Sequence, residues 1–298
     1  MIIGHEKIVS FFDDAINRGA FAHAYCLVGP AGVGKRKVAE IVAAKLLNIP
    51  EEKLHTHTDY VFLGRESDEK TGKLKKDISI AQTRELRRRL QNSSWLGGYQ
   101  VAVIDEAELL NAESGNALLK MIEEPVAKSL LFLLTTNDRA MLPTIRSRCQ
   151  FFYLPTVSEE KIKNALVSLG KSESEAKAAA DLSWGRPGRA LRALQDLTES
   201  ENFYKETERW KKLQSKNYYE KLAILEDIFG DKSDHIRERE NIREALDIWT
   251  VQTREEMLAS AGAEAWRLAR LIDSLQDAKE KMAQNIHPKL LLENTILN

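Results

Sequence analysis

The spacing of apolar residues changes character partway along the chain. Through roughly the first 155 residues, short continuous apolar runs alternate with amphipathic stretches. Ile8, Phe11, Phe12, Ala15 and Ile16 recur at helical spacing, and Gly19 closes that helix. Tyr25-Cys26-Leu27-Val28 predicts a buried strand, followed by a glycine-rich loop and a helix from about Lys35 to Leu47. Further strands are predicted at 59–63, 101–104, 130–134 and 151–154, with helices at 80–91 and 114–122 and a surface turn or hairpin over 65–76. Strands alternating with helices predict a parallel sheet covered on both faces.

From Ser158 onward the pattern is almost wholly helical. Ser158 is placed to cap a helix whose first turn holds Glu159 and Glu160, and Ser172 and Glu175 have capping-box spacing. Pro187 suits a helix start. Longer amphipathic helices are predicted over about 201–229, 234–261 and 263–285, which together suggest a bundle. The expected division is 1–156, 157–200 and 201–298, an α/β domain followed by all-α domains.

Composition narrows this little. With 298 residues and a net charge of −1, the chain carries no global basic excess of the kind nucleic-acid binding often shows. No apolar run is long enough to span a bilayer, and the first residues lack the regions of a signal peptide. A cytoplasmic protein with no membrane partner is the expectation. Cys26 and Cys149 give no disulfide framework, and packing is the expected role of both.

The chemistry sits in five short segments. Gly29-Pro30-Ala31-Gly32-Val33-Gly34-Lys35-Arg36 follows the phosphate-loop pattern, in which glycine-freed N–H groups curl around phosphate oxygens at a helix start and the lysine reaches the terminal phosphates. The pattern ends in a Ser or Thr that gives its hydroxyl to Mg²⁺. Arg36 cannot do so, and its cation is expected to repel the metal. The loop predicts the fold more strongly than it predicts ATP hydrolysis, and binding of ATP without turnover stays open.

After the strand at 101–104 come Asp105 and Glu106, placed to hold Mg²⁺ and to polarise water, or simply to form an acidic cap. Asn137 follows another strand, where it could orient the attacking water or sit in a turn. Arg146-Ser147-Arg148-Cys149 puts two arginines at a turn before the last strand. A guanidinium there can reach a neighbouring subunit's phosphates or pair with a surface carboxylate. In Trp184-Gly185-Arg186-Pro187-Gly188-Arg189, Arg189 could point back to a nucleotide or be solvated.

In this order and spacing the segments resemble the clamp-loader branch of the AAA+ ATPases over nearly the whole chain. Phe21 to Tyr25, Asn116 to Pro125, Ser147-Arg148-Cys149 and the C-terminal Asn285-Ile286-His287-Pro288-Lys289-Leu290 and Leu292-Glu293-Asn294 are similar to that branch. The resemblance implies a RecA-like domain, a small helical lid and a helical collar. It implies that Arg148 acts in trans on a neighbour's ATP, with Asn137 and Arg189 as the two sensor residues. It implies gamma/tau and delta subunits as partners, in a loader that places the ring-shaped beta clamp on primer-template DNA. Arg36, and a chain that stops after the collar, imply a member that does not hydrolyse ATP. A hydrolysing gamma/tau-like motor and a helicase or remodeller are the competing expectations. The branch commonly carries a four-cysteine zinc module after the loop helix. Here residues 48–59 hold His55 and His57 but no cysteine, so no zinc is expected. The arginines of the 80–91 helix are expected to be solvated or to face DNA.

Overall fold

Alternation of covered faces organises the first part of the chain. The computed structural model of the protein describes residues 2–68, 72–91, 98–125, 128–195, 197–229, 235–282 and 287–297, in two units, 1–194 and 195–298. In the first unit, α1 (Glu6–Arg18) leads to β1 (Ala24–Val28) and α2 (Lys35–Leu47), then to β2 (Tyr60–Leu63), α3 (Ile80–Gln91) and β3 (Gln100–Ile104). After these come α4 (Ala112–Glu123), β4 (Ser129–Thr135), the short α5 (Pro143–Arg146) and β5 (Gln150–Tyr153). The strands form one parallel sheet in the order β2-β3-β4-β1-β5.

Successive residues of a strand point to opposite faces, and in β1, β3 and β4 both faces are buried, while β5 is partly exposed. Cys26, Ala102, Ile104, Leu131 and Leu133 pack with Leu86 of α3 and Leu118 and Ile122 of α4. Tyr25, Leu27, Val101, Val103 and Phe132 pack with Phe12 of α1 and Val38 and Val42 of α2. That is why these strands read as continuous apolar runs. The expected hairpin at 65–76 appears as a single antiparallel bridge between Ser67 and Leu74; residues 69–71 lie outside the described residues.

The first unit ends in α6 (Glu159–Ser168), α7 (Glu173–Ser183) and α8 (Pro187–Gln195). The expected caps form: Ser158 accepts from the Lys161 N–H, and Ser172 and Glu175 make a reciprocal capping box. Ile162, Leu166, Ala176, Ala180 and Ala190 close a small core with Ile3 and Val157.

The second unit holds α9 (Leu197–Ser215), α10 (Tyr218–Glu226), α11 (His235–Ala259), α12 (Gly262–Met282) and α13 (Pro288–Leu297). The helix expected over 201–229 is in fact two. It breaks after Ser215, where the Asn217 side chain accepts from the Glu220 N–H and Glu220 accepts from the Asn217 N–H. Asn217 and Glu220 stand at capping-box spacing, a local start signal that the longer amphipathic reading passed over. The expected ends at 234 and 283–285, and Asn285 and Ile286 of the C-terminal motif, lie outside the described residues. Trp210 of α9 and Trp249 of α11 stack at 5.1 Å in the core of this unit. Among the described residues no helix is long and apolar enough to cross a membrane.

Candidate nucleotide site and arginine turn

The glycine loop joins β1 to α2, as its sequence context requires. The Gly29 N–H bonds the Thr135 carbonyl of β4 at 3.1 Å, and Gly34, with φ of 112°, turns the chain into α2. Lys35 is buried, 7% exposed, and its Nζ donates to the loop's own carbonyls, Gly29 O at 2.6 Å and Pro30 O at 3.0 Å. Burial pulls its pKa below the ordinary lysine range, opposed first by the charge of Asp105 and then by that of Glu108.

Two further contacts close on the loop. The Gly32 carbonyl accepts from the Gly188 N–H at the start of α8, 2.8 Å away. A Cβ on Gly188 would stand 2.9 Å from that oxygen and 3.2 Å from Gly32 Cα, so only glycine permits the approach. His5 sets its Nε2 3.2 Å from the Val33 carbonyl. Arg189 is buried, with its guanidinium 4.2 Å from the centre of the Trp184 ring, and Arg186 lies over the same ring at 5.0 Å.

Arg36 does not lie where the sequence alone suggested. Its guanidinium sits 4.0 Å above the Phe62 ring and its Nε bonds Glu40 one turn along α2 at 2.7 Å. It leaves the site without a hydroxyl, while its charge is taken up by Glu40. Asp105 Oδ1 accepts the N–H of Glu106 at 3.0 Å. Glu106 adopts a left-handed backbone, φ of 51°, and its carboxylate is gripped at both oxygens by Arg65, Nε–Oε2 2.6 Å and Nη2–Oε1 2.8 Å. The carboxylate is thus ion-paired with Arg65, although its side chain stays 40% exposed. Asn137 caps a short turn by accepting from the Arg139 N–H at 3.0 Å. Glu108 accepts from both the N–H and the hydroxyl of Thr136. These residues fit a magnesium-bound triphosphate poorly: no hydroxyl stands at the metal position, and the carboxylate that would polarise water is paired with Arg65.

Arg148 lies at the other end of the sheet. β1 and β5 are parallel, with Tyr25 opposite Gln150. Arg148 therefore precedes the amino edge, while the glycine loop follows the carboxyl edge. The five residues of β1 set these edges roughly 15 Å apart at about 3.3 Å per residue. Arg148 Nη1 donates to Thr144 O and Ser147 Oγ, each at 3.1 Å, and Nη2 pairs with Glu123 at 2.8 Å. Its side chain is nonetheless 41% exposed. The surface ion pair read from the sequence is present, and the guanidinium remains part-exposed. Arg146 pairs with Asp138 at 3.2 Å, beside Tyr153, whose hydroxyl donates to the same carboxylate.

The remaining candidates are structural. Cys26 is buried in the sheet and burial raises its pKa far above the usual thiol value; burial pushes the Cys149 thiol up to about 12. Such thiols are inert. His57 Nδ1 accepts the Asp59 N–H, and His55 pairs with Glu40. Among the described residues no three His, Cys, Asp or Glu side chains gather to hold a metal. On α3, Arg88 and Arg89 pair with Glu85. Sequence reasoning missed Arg65, Gly188 and Glu123 as parts of these sites. Glu123 and Gly188 each lay inside a segment already singled out, Asn116 to Pro125 and Trp184 to Arg189, while Arg65 lay in none.

Comparison with known proteins bears on family and fold. A family model described as DNA polymerase III, delta subunit, matches residues 4–158, just over half of the chain. DNA polymerase III subunit delta' of Pseudomonas aeruginosa is 39% identical over 146 residues, 44% of this chain and 43% of that protein. The Escherichia coli subunit delta' is 36% identical over 141 residues, 47% of this chain and 40% of that protein. The Escherichia coli subunit tau is 33% identical over 174 residues, 55% of this chain and 26% of that one. The chain thus spans less than half the length of these curated relatives. A solved Thermotoga maritima gamma subunit-related protein shares the fold, with a TM-score of 0.52 and 16% identity over 98% of this chain and 97% of that one. With a five-stranded parallel sheet ahead of its helices and the family's model matched from residue 4 to 158, the chain belongs to the DNA polymerase III delta-subunit family.

Proposed function

We propose that this chain is a delta prime-like subunit of the DNA polymerase III clamp loader, one that does not hydrolyse ATP and instead offers Arg148 to the ATP site of an adjacent gamma/tau subunit. The observation that carries the reading is the placement of Arg148. It lies a strand's length from the chain's own glycine loop, too far to serve it, and its guanidinium is part-exposed. A guanidinium supplied from a neighbour stabilises charge on a transferring phosphoryl group. The Arg65–Glu106 pair and the inward Lys35 support the silent half of the proposal. On this reading residues 1–156, 157–200 and 201–298 act as RecA-like domain, lid and collar. The collar joins the gamma/tau and delta subunits in the loader that sets the beta clamp on primed DNA.

The test is a calorimetric titration of the isolated chain with ATP and Mg²⁺, followed by a turnover assay on the same sample. Absence of turnover is expected, with or without binding. Turnover that disappears on Glu106→Gln would instead identify a hydrolysing, gamma/tau-like subunit.

A further inference from the structure

Arg148 is held by more than its own turn. Ser147 Oγ both donates to the Thr144 carbonyl and receives Arg148 Nη1, each at 3.1 Å, so the turn fixes one edge of the guanidinium. The other edge is fixed by Glu123, from a different element. α4 starts beyond the carboxyl edge of β3 and runs back for 12 residues, roughly 18 Å at about 1.5 Å per residue. Its last residue is Glu123, which arrives at the amino edge of the sheet beside Arg148. Below that residue, Leu118 and Ile122 anchor α4 in the core and Gly115 lets Leu142, which caps α5, approach closely. The carboxylate therefore stands on a rigid helix packed against the same turn that carries the arginine.

We propose that Glu123, aided by Ser147, is the positioning residue of Arg148, orienting its guanidinium toward the neighbouring subunit's nucleotide; this rests on the trans role proposed above. An ion pair with 41% and 46% exposed side chains adds little to folding. What it does supply is order. A long arginine side chain has many rotamers, and holding it in one before the neighbour arrives removes an entropic cost from the step it assists. Two of its nitrogens face Glu123, Ser147 and the Thr144 carbonyl, and the exposed remainder of the guanidinium is left for the incoming phosphate oxygens. Glu123 touches no substrate in this arrangement and acts through Arg148 alone.

The experiment uses the complete loader, reassembled with this chain as wild type, Arg148→Ala, Glu123→Gln, Glu123→Asp, Ser147→Ala and the double variant Glu123→Gln/Arg148→Ala. DNA-stimulated ATP turnover is measured against ATP concentration. Glu123→Gln is expected to lower kcat several-fold, within the roughly 10²-fold that misplacing a reacting group costs. KM stays unchanged, because ATP is bound by the neighbour's own loop. Glu123→Asp, which keeps the charge, restores part of the rate, and Ser147→Ala gives a smaller loss. The double variant matches Arg148→Ala alone, since both changes remove one device. A fall with Arg148→Ala but none with Glu123→Gln, or an additive double variant, overturns the positioning role and leaves the trans role standing. An unchanged rate with Arg148→Ala overturns both.

Discussion

The two edges of one sheet hold charged residues in opposite ways. At the carboxyl edge, three charged groups are bound within the chain: Lys35 to Gly29 and Pro30, Glu106 to Arg65, Arg36 to Glu40. At the amino edge, Arg148 is oriented by Glu123 and Ser147 yet remains part-exposed. The difference lies in what each edge leaves available: paired charges around the glycine loop, a part-exposed guanidinium at the other end. The glycine loop still serves the fold. It supplies the carbonyl to which Gly188 docks α8, so a loop suited to phosphate has become a joint between the sheet and the helices after it.

The largest expected effect is at the amino edge. Arg148→Ala should lower hydrolysis at the one ATP site it serves by about 10³-fold, the low end of what a trans arginine contributes. In the loader this reads as loss of that site's share of DNA-stimulated turnover, with the variant still co-eluting with its partners. Next comes the joint at the carboxyl edge. Gly188→Ala forces a Cβ to within 2.9 Å of the Gly32 carbonyl and should destabilise the first unit by about 1–3 kcal/mol, read from denaturant midpoints. If the variant is as stable as wild type, the loop is not a joint.

A smaller effect concerns His5, half-buried against the Val33 carbonyl. Desolvation lowers its pKa below the usual value of about 6.5, with the Val33 hydrogen bond opposing. The unfolded chain therefore takes up the proton first. Stability contributed here is complete above the unfolded pKa, falls as pH drops through it, and levels off below the folded pKa. His5→Gln should flatten that decline between pH 8 and 5 in thermal melts. The smallest effect is a null one: Glu106→Gln should leave loader turnover unchanged, because the Arg65-bound carboxylate takes no part in it.

How much of this was legible beforehand follows from the range of each interaction. The strands announced themselves, because burial on both faces demands continuous apolar runs. The caps at Ser158 and Ser172 were legible because each is settled within three residues. The break at Asn217 is equally local, with the same capping-box spacing, and was passed over in favour of one long helix. The pairing of charges around the glycine loop was only half visible. Arg36 advertises the missing hydroxyl, but the Arg65–Glu106 pair joins residues 41 apart and carries no local pattern. Likewise, nothing in Lys35 itself tells whether its ammonium faces a phosphate or the carbonyls of its own loop. Arg148 could be read two ways from sequence, and the geometry shows why: a pairing with Glu123 and an exposed guanidinium are compatible.

One comparison tests the division between the two edges most directly: DNA-stimulated ATP hydrolysis by loaders reassembled with wild-type, Arg148→Ala or Glu106→Gln chain, all other subunits unchanged. The expected result is a reduced rate with Arg148→Ala and a wild-type rate with Glu106→Gln. A wild-type rate with Arg148→Ala and a reduced one with Glu106→Gln would contradict the account and place the working site at the glycine loop.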